Sequence, residues 1–270
     1  MNGTLTNKVE AIGLSVTQVG TKIVSVCSVF GGVGLLSAQS IKLLFSTKLA
    51  FRELMRQLYY IGNKSFGIVG LIAFFTGLVF ALQLGVGLGR FGLKIYIGQI
   101  VGLAIFRELA PVLSCVMIAA RVGSGIAAEI GSMVVTEQVL AVEAMGANPV
   151  QKLVVPRMLA TTIAAPILTI MADIIGVVGG MIISMQEAGV TAQFYFDQIR
   201  NTVLLDDFYS GIIKSVFFGF FIAIIACYEG LNTRGGTEGV GRVTTRSVVR
   251  SCILIFVSDF FLTKLVLVIL

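Results

Sequence analysis

The sequence predicts an all-α integral membrane protein with five transmembrane helices, preceded by an amphipathic helix in the membrane interface. Three observations predict this class. The chain of 270 residues is 56% hydrophobic and only 13% charged, whereas soluble domains carry about 25% charged residues. Apolar runs of roughly 20 residues, long enough to cross a bilayer, recur along the chain. The basic residues also cluster in alternate connections between these runs, as the positive-inside rule requires.

Residues 1–64 form the first of two predicted regions, and they are basic and amphipathic. Between Leu35 and Tyr60, apolar side chains are interspersed with lysines and arginines. This composition is typical of a helix that lies in the interface with its cations at the lipid headgroups. The alternative is a sixth span from Ile23 to Leu44, which three glycines and Lys42 make less favourable.

The second region, residues 65–270, contains the five predicted spans. They are Ser65–Gly89, Ile95–Ala120, Met158–Gln186, Phe208–Tyr228 and Ser251–Leu270. Lysines and arginines are concentrated before the first span and in the connections near 121–157 and 229–250. The positive-inside rule therefore places the N-terminus and these connections in the cytoplasm. With five spans, the C-terminus lies on the opposite side.

Glycine and proline predict local features of the first and third spans. The first span is rich in small residues, which let membrane helices pack closely. Asn148 followed by Pro149 predicts the N-terminus of the third span, with asparagine as the cap and proline at the first helical position. Pro156 and Pro166 predict kinks or a break in the same helix.

A cytoplasmic helix is predicted between the second and third spans, at about residues 128–146. Glu129, Ser132, Thr136 and Glu143 recur at helical spacing and give it an acidic polar face. A helix that lies on anionic lipid usually carries lysine or arginine on its polar face. Docking to a protein partner is therefore favoured over a position on the bilayer surface.

Arg107 and Glu108 lie in the middle of the second span. A charge at the centre of a span costs about 2.5–3.5 kcal/mol on insertion scales. Adjacent helical residues point about 100° apart, so each needs its own partner. Two interpretations remain open. Either other spans satisfy both groups, for example Asp173 or Asp259 with Arg107, or the pair lines a pocket for the headgroup of an amphiphile, where arginine suits phosphate.

The residue types exclude several functions. The chain has no histidine, and its four cysteines are scattered without metal-ligand spacing, so neither a metal site nor an enzyme with a catalytic triad is expected. It has no P-loop motif, so it does not bind ATP in that way, and it needs no cofactor. The net charge of +6 follows the topology and does not indicate nucleic acid. Asp173 and Asp259 leave an ion-coupled secondary transporter open.

Several motifs resemble those of the MlaE permease family over roughly residues 50–270. They are Arg107–Val112, Ala119–Ser124, Ala128–Met133, Thr136–Gln138, Asn148–Pro149, Val154–Arg157 and Gly239–Val249. The chain departs from the family at Asn148, where an aspartate is frequent. It also has Gly85 and Gly87 where bulkier pocket residues are expected, so the contacts with acyl chains are expected to differ.

The resemblance implies the permease subunit of an ABC-type transporter that moves glycerophospholipids between the inner and outer membranes and so maintains outer-membrane lipid asymmetry. It implies a multi-pass protein of the bacterial inner membrane with a periplasmic C-terminus. The implied partners are a second copy of the permease, a cytoplasmic ABC ATPase that hydrolyses the ATP, a STAS-domain protein and periplasmic MCE-domain subunits.

The resemblance also assigns residues to two roles. The residues expected to contact phospholipid are Arg107, Glu108, Leu78 and Leu82. The predicted cytoplasmic helix corresponds to the family's coupling helix, and the residues expected to couple it to the ATPase are Glu129, Thr136, Glu137 and Glu143. A permease for import of a small polar solute and a scaffold without transport activity are weaker alternatives.

Overall fold

The computed structural model describes residues 27–45 and 51–269, and every regular element in these ranges is helical. Six helices are long and apolar enough to cross a membrane: Cys27–Phe45, Phe51–Gly89, Lys94–Val135, Val150–Ala188, Leu205–Leu231 and Gly236–Val268. The all-helical class is therefore confirmed. The arrangement of five crossing helices and one interfacial helix remains a prediction, and residues 1–26 and 46–50 lie outside the described residues.

Helix α1 (Cys27–Phe45) covers the segment for which two placements were open. Most of it is exposed, but Leu36 and Ser40 are buried, and Gly32 lies against the ring of Tyr228. Its length and composition permit a crossing. The helix therefore packs on the end of the bundle where Tyr228 lies, and both placements stay open.

The next helix, α2 (Phe51–Gly89), packs closely along α7 (Val155–Ala188). A methyl group on Gly77 would collide with the carbonyl oxygen of Gly176, and one on Gly179 would collide with that of Phe74. Because only glycine allows this backbone approach, the predicted role of small residues in helix packing is confirmed.

The second predicted span is one continuous rod made of several helical segments. The rod begins with a 3₁₀ turn and contains two π-helical turns. In chain order it consists of Lys94–Tyr96, α3 (Ile97–Ala104), the π turn Ile105–Leu109, α4 (Ala110–Ile118), the π turn Ala119–Gly123 and α5 (Ser124–Val135). Each π turn carries an arginine, Arg107 or Arg121. Such turns are frequent at functional sites.

The connection predicted to be cytoplasmic differs from the single helix expected at about 128–146. Helix α5 ends at Val135, and a short helix α6 (Gln138–Ala144) follows. Between them, Glu137 has a φ of 57°, in the left-handed region. That backbone conformation interrupts the α-helical path, so Glu129 and Glu143 lie on different helices and do not share one polar face.

The start of the third span is confirmed at the predicted cap. The side chain of Asn148 accepts a hydrogen bond from the backbone N–H of Val150 at 2.9 Å. A π turn, Val150–Val154, then leads into α7. Helix α7 continues through Pro166, so the helix is not broken there.

Helices α8 (Ala192–Thr202), α9 (Leu205–Leu231) and α10 (Gly236–Ile269) complete the chain. Helix α8 packs on α3, where the buried side chain of Tyr195 lies against Gly98. At the same end, Nζ of Lys94 donates to the carbonyl of Glu187 at 2.8 Å. The connections near 90–94 and 187–204 therefore share one end of the bundle.

The connections predicted to be cytoplasmic share the opposite end. Arg157 binds Glu129 at 3.1 Å, and Arg250 binds Glu229. Between the two ends, buried residues of α4, α5, α7 and α9, such as Ile118 and Phe218, form the main hydrophobic core. The fold thus separates the two sets of connections as the charge pattern requires.

Candidate functional site

A cavity of about 610 Å³ lies between α3, the start of α9 and the end of α10. One part of its wall is apolar and the other carries charged and hydroxyl groups. The apolar residues are Ile100, Leu103, Ala104, Leu204, Val266 and Leu267, and the polar ones are Arg107, Glu108, Asp206, Asp207, Ser210, Lys214 and Thr263. The sequence-predicted pair Arg107 and Glu108 therefore faces a cavity.

Lys214 is the centre of the polar wall, and it is almost fully buried. Its ammonium group donates to Oε2 of Glu108 at 2.9 Å and to the hydroxyl of Thr263 at 2.7 Å. Thr263 in turn donates to Oε1 of Glu108 at 3.1 Å. The Lys214 ammonium also lies 3.1 Å from Oδ1 of Asp259, as an ion pair. The Lys214 ammonium, on α9, thus contacts residues of two other helices, the rod of the second span and α10.

Pro111 explains the third hydrogen bond of Lys214. Proline has no N–H, so the carbonyl of Arg107 four residues earlier lacks its usual helical donor. Nζ of Lys214 donates to that carbonyl at 3.1 Å. With Glu108 and Thr263, all three N–H groups of the ammonium are then used. The π turn before Pro111 and the buried lysine therefore form one structural unit.

Arg107 binds Asp207 at the start of α9. Its Nε donates to Oδ1 of Asp207 at 2.6 Å, and Nη2 contacts the same oxygen. The other oxygen, Oδ2, accepts from the backbone N–H of Leu204 at 2.9 Å and so caps the helix. The Arg107 side chain remains 44% exposed. Within the described residues, no recorded contact uses its Nη1 group.

The predicted partners of Arg107 require a correction. Asp173 and Asp259 were the suggested partners, but Arg107 binds Asp207 instead. Asp259 pairs with Lys214. Asp173 is buried in α7, does not line the cavity, and has one carboxylate oxygen without a hydrogen-bond partner among the described residues. The sequence alone does not show which of these carboxylates lies next to the guanidinium of Arg107.

Leu78 and Leu82, one turn apart on α2, lie apart from this cavity. Leu82 is 40% exposed and Leu78 is partly buried. Neither lines the 610 Å³ space within the single chain. The structure therefore brings together two of the four residues expected to contact lipid.

The four residues expected to contact the ATPase fall into two pairs. Glu129 is bound by Arg157, and the hydroxyl of Thr136 donates to the carbonyl of Ser132 at 2.9 Å. Glu137 and Glu143 are exposed, and no ion pair is recorded for them within the described part of the chain. A cavity of about 560 Å³ lies beside α6, and Glu143 lines it.

Sequence reasoning missed Lys214, Asp207 and Thr263 as members of the site. Lys214 had a usable signal, since it is the lone charge in the run Phe208–Tyr228, and charges within spans are functional candidates by default. Asp207 lies at a helix start and Thr263 in an apolar helix, where neither residue type is unusual.

These features define a class. A bundle of apolar helices with a cavity lined by both paired charges and an apolar wall is typical of a membrane permease for an amphiphilic solute. Comparison with known proteins identifies the family. The model of the family described as Permease MlaE matches residues 54–265, and the chain belongs to this family.

Individual relatives agree with this assignment. The chain is 39% identical over 247 residues to a probable ABC transporter permease of Rickettsia typhi, covering 92% of this chain and 95% of that protein. It is 35% identical over 216 residues, 80% of this chain and 83% of the relative, to the intermembrane phospholipid transport system permease protein MlaE of Haemophilus influenzae. It is also 36% identical over 232 residues, 86% of this chain and 66% of that protein, to the chloroplastic protein TRIGALACTOSYLDIACYLGLYCEROL 1 of Arabidopsis thaliana.

Proposed function

We propose that this chain is the permease subunit of an ABC-type transporter that moves glycerophospholipids between the inner and outer membranes, energised by a partner ATPase. The observation that carries the proposal is the cavity in which the charges of Arg107, Glu108 and Lys214 stand beside an apolar wall. An amphiphile with a charged headgroup and acyl chains matches both parts of that wall.

In this proposal, the headgroup binds at Arg107 and Glu108. The Nη1 group of Arg107 is available for a phosphate, for which the planar guanidinium is well suited. Glu108 and Asp206 can accept from an ammonium group. The polar wall has two cations, and four carboxylates counting Asp259. This acidic excess favours a zwitterionic headgroup over an anionic one.

The proposed assembly contains two copies of the permease, ABC ATPase subunits, a STAS-domain protein and MCE-domain subunits in the periplasm. The names of the Rickettsia and Haemophilus relatives support an ABC system for phospholipid. In the inner membrane, five helices cross, α1 lies in the interface and the C-terminus is periplasmic. The exposed side chain of Leu82, with Leu78 one turn before it, would complete the lipid pathway where α2 meets the second copy.

The short helix α6 is the proposed contact with the ATPase. Glu137 and Glu143 are exposed beside Leu140 and Met145, whose side chains are 60% and 71% exposed. Apolar side chains surrounded by charge, on a short helix between two long ones, form a docking surface for a protein. Motion of α6 would then be transmitted through α5 and α7 to the cavity.

Reconstituted lipid transfer tests the function. Arg107→Ala and Glu108→Ala, each in the complex with its ATPase, are expected to lower phospholipid transfer at least about tenfold, the factor for losing about 1.4 kcal/mol of headgroup binding. Arg90→Ala, at an exposed arginine outside the cavity, is the matched control and keeps normal transfer. Unchanged transfer by both cavity variants in an intact complex contradicts the headgroup role.

An ion-coupled secondary transporter is the second candidate, and the buried, incompletely hydrogen-bonded Asp173 is the observation that favours it. Carboxylates buried within spans often mark ion or proton routes. Transfer driven by an ion gradient in proteoliposomes that contain the permease alone would favour this candidate. A strict requirement for the ATPase and ATP would exclude it.

A further inference from the structure

A second polar cleft lies between α2 and α5, on the same helical rod as the first cavity. Its space is about 70 Å³, and its charged lining groups are Lys64, Arg121 and Glu129. Arg121 follows Arg107 by 14 positions on the rod, which separates them by roughly 20 Å at 1.5 Å per residue. The cleft is at the end of the bundle predicted to be cytoplasmic.

The cleft carries an excess of positive charge. Nζ of Lys64 lies 3.9 Å above the centre of the Tyr60 ring, a cation–π contact that holds it at the cleft. Arg121 is exposed and lies in the second π turn. Within the described residues, neither cation forms an ion pair. The carboxylate of Glu129 is already bound by Arg157, so it does not neutralise them.

A buried hydroxyl in the cleft is also unpaired. Ser65 is 1% exposed, and its Oγ has no hydrogen-bond partner among the described residues. Leaving a buried polar group unsatisfied is unfavourable. A ligand oxygen in the cleft would remove that cost. Two unpaired cations and an unpaired donor around one small space make the arrangement complementary to an oxyanion.

We propose that this cleft is a phosphate-binding site, with Lys64 and Arg121 as its cations and Ser65 as its neutral donor. The 70 Å³ space is several times the roughly 10–15 Å³ that a single water needs, so a tetrahedral phosphate has room. The group is either the headgroup phosphate of a phospholipid in the cytoplasmic leaflet or a free phosphate ester. The site is independent of the Arg107 cavity, which would hold the lipid at the opposite half of the rod.

The test measures binding by the full chain in a background of Arg107→Ala, which removes the proposed headgroup contact of the first cavity. The probes are short-chain phosphatidylglycerol and inorganic phosphate, titrated into delipidated protein in detergent. The double variant Lys64→Gln/Arg121→Gln is expected to lower affinity about tenfold or more, as expected for lost charge-assisted hydrogen bonds. Ser65→Ala is expected to lower it about threefold, as for one neutral hydrogen bond.

The matched control removes two exposed cations at the same end of the bundle, Lys152→Gln/Arg234→Gln, and is expected to retain affinity within about twofold. Arg121→Lys, which keeps the charge, is expected to retain most of the binding. Binding of the lipid with no measurable binding of inorganic phosphate assigns the site to a headgroup, whereas binding of inorganic phosphate but not of the lipid assigns it to a free phosphate ester. Equal affinities of the double variant and the control, in proteins with unchanged helical circular dichroism, overturn the proposal.

Discussion

The ammonium group of Lys214, on α9, lies 2.9 Å from Oε2 of Glu108 on the rod of the second span. The lysine is almost fully buried, whereas the glutamate side chain is 39% exposed at the cavity. One end of the pair is therefore fixed in the protein interior and the other faces the space proposed for a headgroup. This geometry presents a carboxylate to a ligand while the bundle supplies its counter-charge.

Removing the buried cation tests that role. Lys214→Met leaves Glu108 and Asp259 without their shared partner, and breaking a buried ion pair from one side costs roughly 3 kcal/mol. We expect the free energy of unfolding in detergent to fall by about that amount and lipid transfer to be lost. Lys264→Met, at an exposed lysine of α10, is the control. A Lys214→Met protein as stable and active as the control would show that the cluster is dispensable.

Glu137, the residue in the left-handed conformation before α6, can be replaced in ways that separate the effect of its backbone conformation on stability from the effect of its carboxylate on coupling. Glu137 has a φ of 57°, so Glu137→Gly is expected to raise the free energy of unfolding by roughly 0.5–1 kcal/mol. A β-branched replacement, Glu137→Val, is expected to lower it. If the carboxylate contacts the ATPase, Glu137→Gly and Glu137→Gln both lower permease-stimulated ATP hydrolysis. Normal stimulation in both variants would remove Glu137 from the coupling surface.

The contact between α2 and α7 predicts opposite effects for two glycines on one helix. Gly77→Ala forces a methyl group onto the carbonyl of Gly176, and we expect a loss of about 1–3 kcal/mol in the free energy of unfolding. A methyl group on Gly67 meets no atom of the described residues within 4 Å. Gly67→Ala is therefore expected to gain up to about 1 kcal/mol from helix propensity. Denaturant titration of both variants measures the difference, and similar values for the two would contradict the close approach.

The buried phenol of Tyr195 is expected to make the free energy of unfolding decrease at alkaline pH. Burial raises the pKa of its phenol, whereas the pKa in the unfolded chain is about 10. The neutral phenol therefore stabilises the fold fully below about pH 10, and that contribution falls as pH rises further, at up to roughly 1.4 kcal/mol per pH unit. Tyr195→Phe removes this dependence.

The measurement is the free energy of unfolding of wild type and variant between neutral and strongly alkaline pH. At neutral pH, Tyr195→Phe is expected to be less stable by about 1 kcal/mol, because the hydroxyl donates to the carbonyl of Val177 at 3.3 Å. This difference in the free energy of unfolding between wild type and Tyr195→Phe should become smaller above pH 10. Tyr209→Phe, at an exposed tyrosine, is the control without such narrowing. A difference between wild type and Tyr195→Phe that does not change with pH would contradict burial of the ionisable phenol.

The helices were predictable because their signals are local. Apolar length gave the spans, and the cap at Asn148 needed only its own sequence neighbours. The division of the predicted coupling helix into α5 and α6 was not predictable, since Glu137 is a residue type that rarely adopts a left-handed conformation. The helical spacing of polar residues continues through Glu137, although the α-helical backbone conformation is interrupted there.

The candidate site was predictable only in part. Arg107 and Glu108 stood out because charge is costly in a span. The partners could not be read from the sequence, since Asp207 and Lys214 are about a hundred residues away. Which carboxylate meets which cation depends on the rotation and depth of each helix, and these are fixed by tertiary packing.

The most direct measurement of the central claim is the amount of phospholipid bound to the purified permease complex, determined by native mass spectrometry. The account predicts that wild type and Arg90→Ala retain phospholipid, whereas the double variant Arg107→Ala/Glu108→Ala loses most of it while its subunits stay assembled. Equal amounts of bound phospholipid in all three proteins would contradict the assignment of this cavity as the headgroup site.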